Sequence, residues 1–348
     1  MDIGYADLSI VDGRTLQNNA FIPFHDVLLM TPTVLILGAA GRFGQVLTQA
    51  FAAAGWSVRA QARKPLPPAL VAHPLIRAVR CDANDVAALM SAARGARVVV
   101  NALNPPYTQW DRLALPLADA ALAAAHSNGA LLMLPGNVYN FGRELPALLT
   151  TATPERGDTP KARIRIEMEG QLAAAAAEGA DSVVLRAGDF FGGPGTGTWL
   201  DMALTSKLHK GRVTYPGNAD IAHAWAYLPD LAQAFVRVAE RREQLHGHHR
   251  LHFAGHTLTG CDLARALESL IARKLRLADL PWPLIKLGAP LMPMWRELLT
   301  MRYLWDRPHA LDDTSLRALI GDVPHTPIEF ALLRALTDLG IAGALLRK

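Results

Sequence analysis

Cysteine is scarce in this chain, since Cys81 and Cys261 are the only two among 348 residues and lie far apart in the sequence. Two distant cysteines cannot form the disulfide framework of a small secreted domain, and this usage is typical of a reducing compartment. Long apolar runs are also missing, because the nearest candidate, around residues 281–295, is broken by prolines and Lys286. These absences predict a cytoplasmic protein with no membrane partner.

Concentrated positive charge is a further absence. The formal net charge is +4, but basic residues never run together beyond pairs such as Arg63-Lys64. A nucleic-acid site would show a concentrated basic stripe, so we expect no nucleic-acid partner. Four histidines at 246–252 lack the spacing of a zinc-binding pair; no metal is expected, and a polar turn leading into a strand is predicted there. The expected partner is a small-molecule substrate, and the chain could be a monomer or a homodimer.

The beginning of the chain differs from the rest. Residues 1–29 have no strong periodicity, and they carry Asp2, Asp7 and Asp12 rather than a basic start followed by an apolar middle. Met30 stands just before the first clear strand pattern. Our hypothesis is that residues 1–29 are a poorly structured extension and that the functional start lies near Met30.

From residue 33 onward, apolar strand patterns alternate with helical patterns. Strands are predicted at 33–38, 57–63, 75–82, 96–103, 130–136 and 182–188, and helices at 45–55, 85–94, 117–129 and after Thr159. Continuous apolar strands separated by helices predict an α/β fold, a doubly wound parallel Rossmann sheet with right-handed crossovers.

The alternation breaks after Phe190, where helical patterns at 260–274 and 313–321 lie between proline-rich loops. We therefore predict a smaller, mostly helical C-terminal substrate lobe. The expected division is a nucleotide-binding domain at 30–240, of which 188–219 partly contributes to the substrate lobe, and a C-terminal lobe at 241–348.

A glycine-rich turn connects the first strand to the first helix. Gly38, Gly41 and Gly44 are spaced by two residues each, with Arg42 and Phe43 between the last two. Glycines in such a turn let the main chain approach a pyrophosphate, whose charge is received by the amides and dipole of the helix N-terminus. A glycine triplet between a buried strand and a helix predicts a dinucleotide-binding turn formed by these five residues.

Residues from about 33 to about 230 resemble the short-chain dehydrogenase/reductase superfamily, both in the glycine-rich turn and in the alternation of strands with helices. The resemblance is to its extended and atypical branches, which include sugar-nucleotide epimerases, dehydratases and NADP-binding regulators related to NmrA. It implies that Asp82, with Ala83 after it, ends the third strand beside the adenine amino group. It also implies that Asn101, Ala102 and Leu103 end the fourth strand beside the nicotinamide ribose.

The end of the second strand indicates which nucleotide binds. An NAD enzyme places a carboxylate there for the adenosine ribose, but this chain has Ala62 followed by Arg63 and Lys64. A guanidinium pairs well with a 2′-phosphate, so NADP is predicted as the cofactor in preference to NAD. The alternative is that Arg63 is a solvated loop residue.

The resemblance implies a catalytic Tyr-x-x-x-Lys pair on the helix after strand five, and this chain departs from it. Matching the segment 183–192 to the sixth strand of the family places Lys161 at the tyrosine position and Arg165 at the lysine position. Arg165 could hold the ribose, whereas its pKa is too high for proton transfer. Tyr139 or Lys161 is the predicted proton donor. The alternative is that the two cations form an exposed basic face and Tyr139 is a packed ring.

Tyr107 and Trp110 follow the fourth strand, at the edge of the sheet where ligands bind in such folds. They could line a substrate pocket or anchor their loop on the core. Together these features predict an NADP-binding oxidoreductase that transfers hydride between the nicotinamide and a small carbonyl or secondary alcohol. Two alternatives remain open: a sugar-nucleotide epimerase or dehydratase, and a non-catalytic NADP(H)-sensing protein.

Overall fold

A seven-stranded parallel sheet forms the centre of the computed structural model, which describes residues 31–342. The strands in chain order are β1 (Thr33–Leu37), β2 (Ser57–Gln61), β3 (Ile76–Val79), β4 (Val98–Asn101), β5 (Leu131–Gly136), β6 (Leu148–Leu149), β7 (Ser182–Ala187), β8 (Asp189–Phe191), β9 (Arg212–Tyr215), β10 (His223–Tyr227), β11 (His248–Phe253), β12 (His256–Leu258), β13 (Arg276–Asp279) and β14 (Ala310–Leu311). The order across the main sheet is β11-β7-β5-β4-β1-β2-β3, and every neighbouring pair is parallel. The predicted doubly wound Rossmann sheet is confirmed.

Helices cover both faces of this sheet. They are α1 (Arg42–Ala53), α2 (Pro68–Val71), α3 (Val86–Ala93), α4 (Trp110–His126), α5 (Pro160–Ala176), α6 (Leu228–Glu240), α7 (Gly260–Ile271), α8 (Trp282–Gly288), α9 (Pro293–Met301), α10 (Thr314–Ile320) and α11 (Ile328–Asp338). Alternate residues of β1 enter different cores: Val34 and Ile36 join the core built with α1 and α6. Leu35 and Leu37 join the core built with α4 and α5. This two-sided burial explains why β1 is apolar throughout.

Three smaller sheets accompany the main sheet. In one, β10 lies between β8, to which it is parallel, and β12, to which it is antiparallel. The other two are the parallel pairs β9–β13 and β6–β14. Because β6 precedes α5 in the chain while β14 follows α9, the β6–β14 pair joins two segments that are distant in the sequence.

The helix α4 begins earlier than the sequence predicts. It starts at Trp110 and passes through Pro116, whereas the prediction placed its start at residue 117, since a proline usually ends a helix. Trp110 is buried, and its indole N–H donates to the carbonyl oxygen of Pro105 at 3.0 Å. This anchor fixes the first turn on the core.

The predicted domain division stays a proposal. β11 lies beyond residue 240, so the segment assigned to the C-terminal lobe also supplies the last strand of the main sheet. The predicted N-terminal extension at 1–29 lies outside the described residues. Within residues 31–342, no helix combines the length and the apolarity needed to cross a membrane.

Candidate functional site

The turn between β1 and α1 is built by close backbone approaches that require glycine. Gly38 has φ +74°, and a Cβ there would lie 3.0 Å from the carbonyl oxygen of Ala102. A Cβ on Gly44 would overlap the carbonyl oxygen of Gly38. Gly41 caps α1 without a side chain, and no acidic residue occupies the first helical turn. The first amides of α1 therefore have no side-chain acceptor of their own and can receive an anion.

The side chain of Gln61 fixes this turn, a role that the sequence analysis missed. The backbone N–H of Gly38 donates to Gln61 Oε1 at 3.0 Å, and Gln61 Nε2 donates to the carbonyl oxygen of Cys81 at 2.7 Å. One carboxamide thus joins the carboxyl ends of β1 and β2 to the residues that follow β3. The pattern that could have revealed it is a polar residue at the last, buried position of an apolar strand.

A cleft of about 1110 Å³ opens at these strand ends. Most of the predicted cofactor residues line it, namely Gly38, Gly41, Arg42, Phe43, Arg63, Lys64, Ala83, Asn101, Ala102 and Leu103. Gly44 packs against the turn and does not line the cleft. Asp82 is not in the lining either, and its Oδ1 accepts from the backbone and side-chain amides of Asn84 at 2.9 and 2.8 Å. These bonds lower the pKa of Asp82, and the charge of Arg63 adds to this effect.

The three basic residues at this end of the cleft differ in their partners. Arg63 and Lys64 are exposed, and neither forms a hydrogen bond or ion pair with another residue of 31–342. Arg42 is instead held by Asp201, with two N–O distances of 3.3 Å, and its Nη1 lies 3.4 Å from the carbonyl oxygen of Gly192. Arg42 therefore ties the start of α1 to the 192–201 loop, while Arg63 and Lys64 are available to a ligand.

Two tyrosines meet farther along the cleft. Tyr107 and Tyr139 both line it, and their hydroxyl oxygens are 3.1 Å apart. Tyr139 is buried, whereas Tyr107 as a residue is half-buried. Burial raises the pKa of Tyr139 well above its usual value. Burial also raises the pKa of Tyr107, although the hydrogen bond from Tyr139 and the charge of Arg165 oppose that rise. Both phenols are consequently neutral proton donors near pH 7.

The two cations predicted on α5 have different surroundings. Arg165 lines the cleft with its guanidinium 5.0 Å from the Trp110 ring centroid, and its Nη1 donates to the carbonyl oxygen of Pro135 at 3.2 Å. Its Nε is buried with no partner among the described residues. Burial lowers the pKa of Arg165, and the charge of Glu169 opposes this.

Lys161 does not line the cleft. Its ammonium forms an ion pair with Glu297 of α9 and lies 5.0 Å from the centroid of the Tyr107 ring. The side chain is buried, so the two cations do not form an exposed basic face. Arg165 and Tyr139 therefore both line the cleft, whereas Lys161 lies outside the lining, against the ring of Tyr107.

A buried ionic network supports this wall of the cleft. Glu169 of α5 contacts Arg186 of β7 and Arg250 of β11, and it accepts from the side-chain amide of Asn140 at 3.0 Å. Arg186 also pairs with Glu155. Because removal of one member would leave a buried charge without its partner, this network fixes α5, and with it Arg165, against the sheet.

The histidine-rich segment enters β11, as the sequence predicts. His252 is buried with Nδ1 3.1 Å from the carbonyl oxygen of Leu149, and His248 Nδ1 lies 2.9 Å from Ser182 Oγ. Their imidazoles therefore bond to different neighbours. No cluster of three or more potential metal ligands occurs within 31–342.

Solved structures with the same fold cover nearly the whole chain. UDP-glucose-4-epimerase from Stenotrophomonas maltophila, with bound NAD and formylated UDP-arabinopyranose, has 15% sequence identity and a TM-score of 0.71, and the match covers 91% of this chain and 99% of that one. UDP-glucose 4-epimerase from Bifidobacterium longum, in complex with NAD+ and UDP, has 16% identity, a TM-score of 0.70 and coverages of 89% and 99%. The enzyme WbmH from Bordetella bronchiseptica, in complex with NAD+, has 17% identity, a TM-score of 0.67 and coverages of 89% and 98%. At such identities these likenesses show a shared fold.

The sequence itself defines the family. No curated protein gives a significant sequence match. The family model described as NAD(P)H-binding matches residues 38–225, which is more than half of the chain and includes the glycine turn, Arg63, Tyr139 and Arg165. This agrees with the resemblance to the extended short-chain dehydrogenases/reductases that the sequence motifs predict. The chain therefore belongs to the NAD(P)H-binding family.

Proposed function

We propose that this protein is an NADP(H)-dependent oxidoreductase of the extended, atypical short-chain type that reduces the carbonyl group of a small molecule. One observation carries the proposal: a single cleft contains the glycine turn, two basic residues without partners in the described chain, and a pair of hydrogen-bonded phenols. Its volume of about 1110 Å³ exceeds that of most sites for one drug-sized ligand, which supports joint binding of a dinucleotide and a substrate.

The residues of the cleft fit NADP(H). The uncapped first amides of α1 would hold the pyrophosphate, and Arg63 with Lys64 would hold the 2′-phosphate. Asn101 and Arg165 both line the cleft and would be the polar partners of the ribose hydroxyls. When bound, NADP(H) would supply or accept the hydride. The compared epimerase structures contain NAD, so the preference for NADP rests on Arg63 and Lys64.

Tyr107 is the proposed proton donor to the carbonyl oxygen, with Tyr139 as its hydrogen-bond partner. Tyr107 is the more exposed of the two phenols, and the charge of Arg165 favours its ionised form. The ammonium of Lys161, paired with Glu297, lies 5.0 Å from the Tyr107 ring centroid and would hold the ring in position. Because both phenols are neutral near pH 7, they are better suited to donating a proton during reduction than to removing one during oxidation.

A second candidate function is a sensor that binds NADP(H) without turnover. It is favoured by the departure from the Tyr-x-x-x-Lys pair, since Lys161 and Arg165 stand at its two positions, and by the raised pKa of the buried Tyr139. A panel of aldehydes and ketones separates the two functions, because a sensor would bind NADPH tightly and would oxidise it at the same rate with and without any of these compounds.

The cofactor assignment is tested by calorimetric titration of NADPH and NADH into the wild type and Arg63→Ala. We expect the wild type to prefer NADPH, and Arg63→Ala to weaken NADPH binding by about tenfold, since a charge-assisted pair contributes about 1.5 kcal/mol. Affinity for NADH should stay unchanged, because it carries no 2′-phosphate.

Arg77→Ala is the matched control, because Arg77 is an exposed arginine on β3 outside the cleft lining. It should leave both affinities unchanged. Equal binding of NADH and NADPH by the wild type would contradict the assignment of Arg63 to the phosphate.

A further inference from the structure

The part of the cleft beside the phenol pair is lined mainly by apolar side chains. Trp199 and Met202 come from the loop after β8, and Met294, Leu298 and Met301 come from α9. The helix α9 contacts the short turn that carries Tyr107, so this apolar wall lies next to the proposed proton donor. Asn104, Asn137 and Thr198 also line the cleft, and this wall adds apolar contact area to their few hydrogen-bonding groups.

The charges near this wall do not suit an anionic substrate. Asp189 lines the cleft and is close enough to raise the pKa of both Tyr107 and Tyr139. Its Oδ2 lies 2.8 Å from Nε2 of His223, whose ring stacks on Trp305 with centroids 4.1 Å apart. This carboxylate is therefore held in place, and it would repel a phosphate.

The cations of this region are already engaged. Arg42 is paired with Asp201, and Lys161 is paired with Glu297. Arg165 retains an unpartnered nitrogen, and the proposed function directs it toward the cofactor. A nucleotide-sugar diphosphate would thus meet a carboxylate and no available cation beyond the cofactor half of the cleft.

Apolar surface continues from this wall out to solvent. Leu291, just before α9, is 88% exposed, Met294 is 41% exposed while also lining the cleft, and Met301 at the end of the helix is 2% exposed. Leu284 and Leu287 are exposed in the same stretch of chain. A series of apolar side chains with decreasing exposure therefore leads along α9 into the cleft, where an apolar ligand would cover surface that water now contacts.

We propose that the substrate is an uncharged lipophilic aldehyde or ketone, the hydrocarbon part of which lies along α9 with its carbonyl group at Tyr107. This inference rests on the proposed function and names its substrate class. The carbonyl carbon gains hydride from NADPH and its oxygen gains the Tyr107 proton, so the products are an alcohol and NADP+, and solvent restores the phenol proton. The proposal predicts that nucleotide sugars are not substrates.

The test measures binding of primary alcohols from butanol to decanol to the protein loaded with NADP+, by calorimetry, with UDP-glucose as the comparison ligand. Affinity should rise about three- to fourfold for each methylene group that the cleft covers. UDP-glucose should show no binding to the loaded protein. Equal affinities along the alcohol series, or UDP-glucose binding more tightly than decanol, would overturn the inference.

Two methionine variants test whether the hydrocarbon part of the ligand contacts α9. Met294→Ala should weaken decanol binding several-fold and leave butanol binding nearly unchanged. Met292→Ala removes an equally exposed methionine outside the cleft lining and should change neither affinity. Equal losses of decanol affinity in both variants would show that the hydrocarbon chain of the alcohol does not lie along α9, and would contradict the inference.

Turnover distinguishes this inference from the proposed function. Oxidation of NADPH with aldehydes from butanal to decanal should show the same dependence on chain length in kcat/KM. Length-dependent binding without NADPH oxidation would contradict the reductase function and still support a lipophilic site, whereas oxidation of NADPH independent of chain length would support the reductase and overturn the lipophilic substrate.

Discussion

At the scale of single residues, the phenols show what a sequence can and cannot reveal. Tyr139 was predicted from its place after the fifth strand, since motif position is local information. Its contact with Tyr107 depends on two loops from neighbouring strands that meet in space, at 3.1 Å between hydroxyl oxygens. The spacing on α5 predicted that Lys161 and Arg165 share a face, but it could not show that Glu297, far along the chain, engages Lys161.

Substitution of the two phenols separates their roles. Tyr107→Phe should lower kcat for NADPH-dependent aldehyde reduction by about a hundredfold, the typical contribution of a positioned general acid. Tyr139→Phe should lower kcat by about tenfold, because Tyr107 keeps its proton and loses only a hydrogen bond. The steady-state rate of NADPH oxidation measures both effects.

Tyr227→Phe serves as the control for this pair. Tyr227 is also buried, but it packs against Phe191 outside the cleft lining, with ring centroids 5.2 Å apart. It should leave kcat unchanged. A larger loss in Tyr139→Phe than in Tyr107→Phe would reassign the proton donor to Tyr139.

At the scale of elements, the β1–α1 unit was predicted well because its signals are contiguous: an apolar strand, three glycines and a helical stretch. The start of α4 was predicted wrongly because Pro116 usually ends a helix, and the buried anchor of Trp110 outweighs that preference. The apolar wall on α9 was missed for a different reason. It lies next to Tyr107 through a contact between α9 and the turn of Tyr107, and a contact between segments so distant in the chain leaves little trace in a sequence.

Two glycine-to-alanine variants test the packing of α1 on β1. Gly44→Ala should lower the free energy of unfolding by about 2 kcal/mol, since its Cβ would overlap backbone atoms of Gly38 and Ala39 that cannot move freely. It should also weaken NADPH binding, because the turn must open to accommodate the methyl group. Urea denaturation measures the first effect and calorimetry the second.

Gly170→Ala is the matched substitution in the interior of α5. An added Cβ at this exposed position would meet no atom within 4 Å, so the variant should gain about 0.5–1 kcal/mol of stability from helix propensity. If both variants changed stability by the same amount, the close approach at Gly44 would not be a tight constraint on this turn.

At the scale of the whole molecule, buried histidines connect folding to pH. Burial lowers the pKa of His252 to about 4 and that of His309 to about 3. Both side chains are fully buried, and Nε2 of each has no partner within residues 31–342. The folded protein therefore holds these imidazoles neutral, whereas an unfolded chain would protonate them near pH 6.5.

The free energy of unfolding should fall as the pH is lowered from 6.5 toward 4. Because the unfolded state binds the proton first, each such histidine lowers the free energy of unfolding by about 1.4 kcal/mol per pH unit below pH 6.5. The loss from His252 should level off near pH 4, where the folded state also takes up the proton. Urea denaturation at a series of pH values measures the slope.

His309→Gln should reduce this slope by the contribution of one histidine. His126→Gln, which replaces an exposed histidine at the end of α4, is the matched substitution. A slope that is the same in the wild type and His309→Gln would show that His309 is not held neutral in the folded protein.

The carboxamide of Gln61 limits how the nucleotide preference could be redesigned. It uses its oxygen for Gly38 and its nitrogen for the carbonyl of Cys81, so a glutamate in its place would direct a carboxylate oxygen at that carbonyl and loosen three strand ends together. Ala62, the next residue, lines the cleft and has no polar atom in its side chain. Conversion to an NAD-selective protein would therefore begin with Ala62→Asp combined with removal of the Arg63 charge, and would leave the neighbouring amide intact.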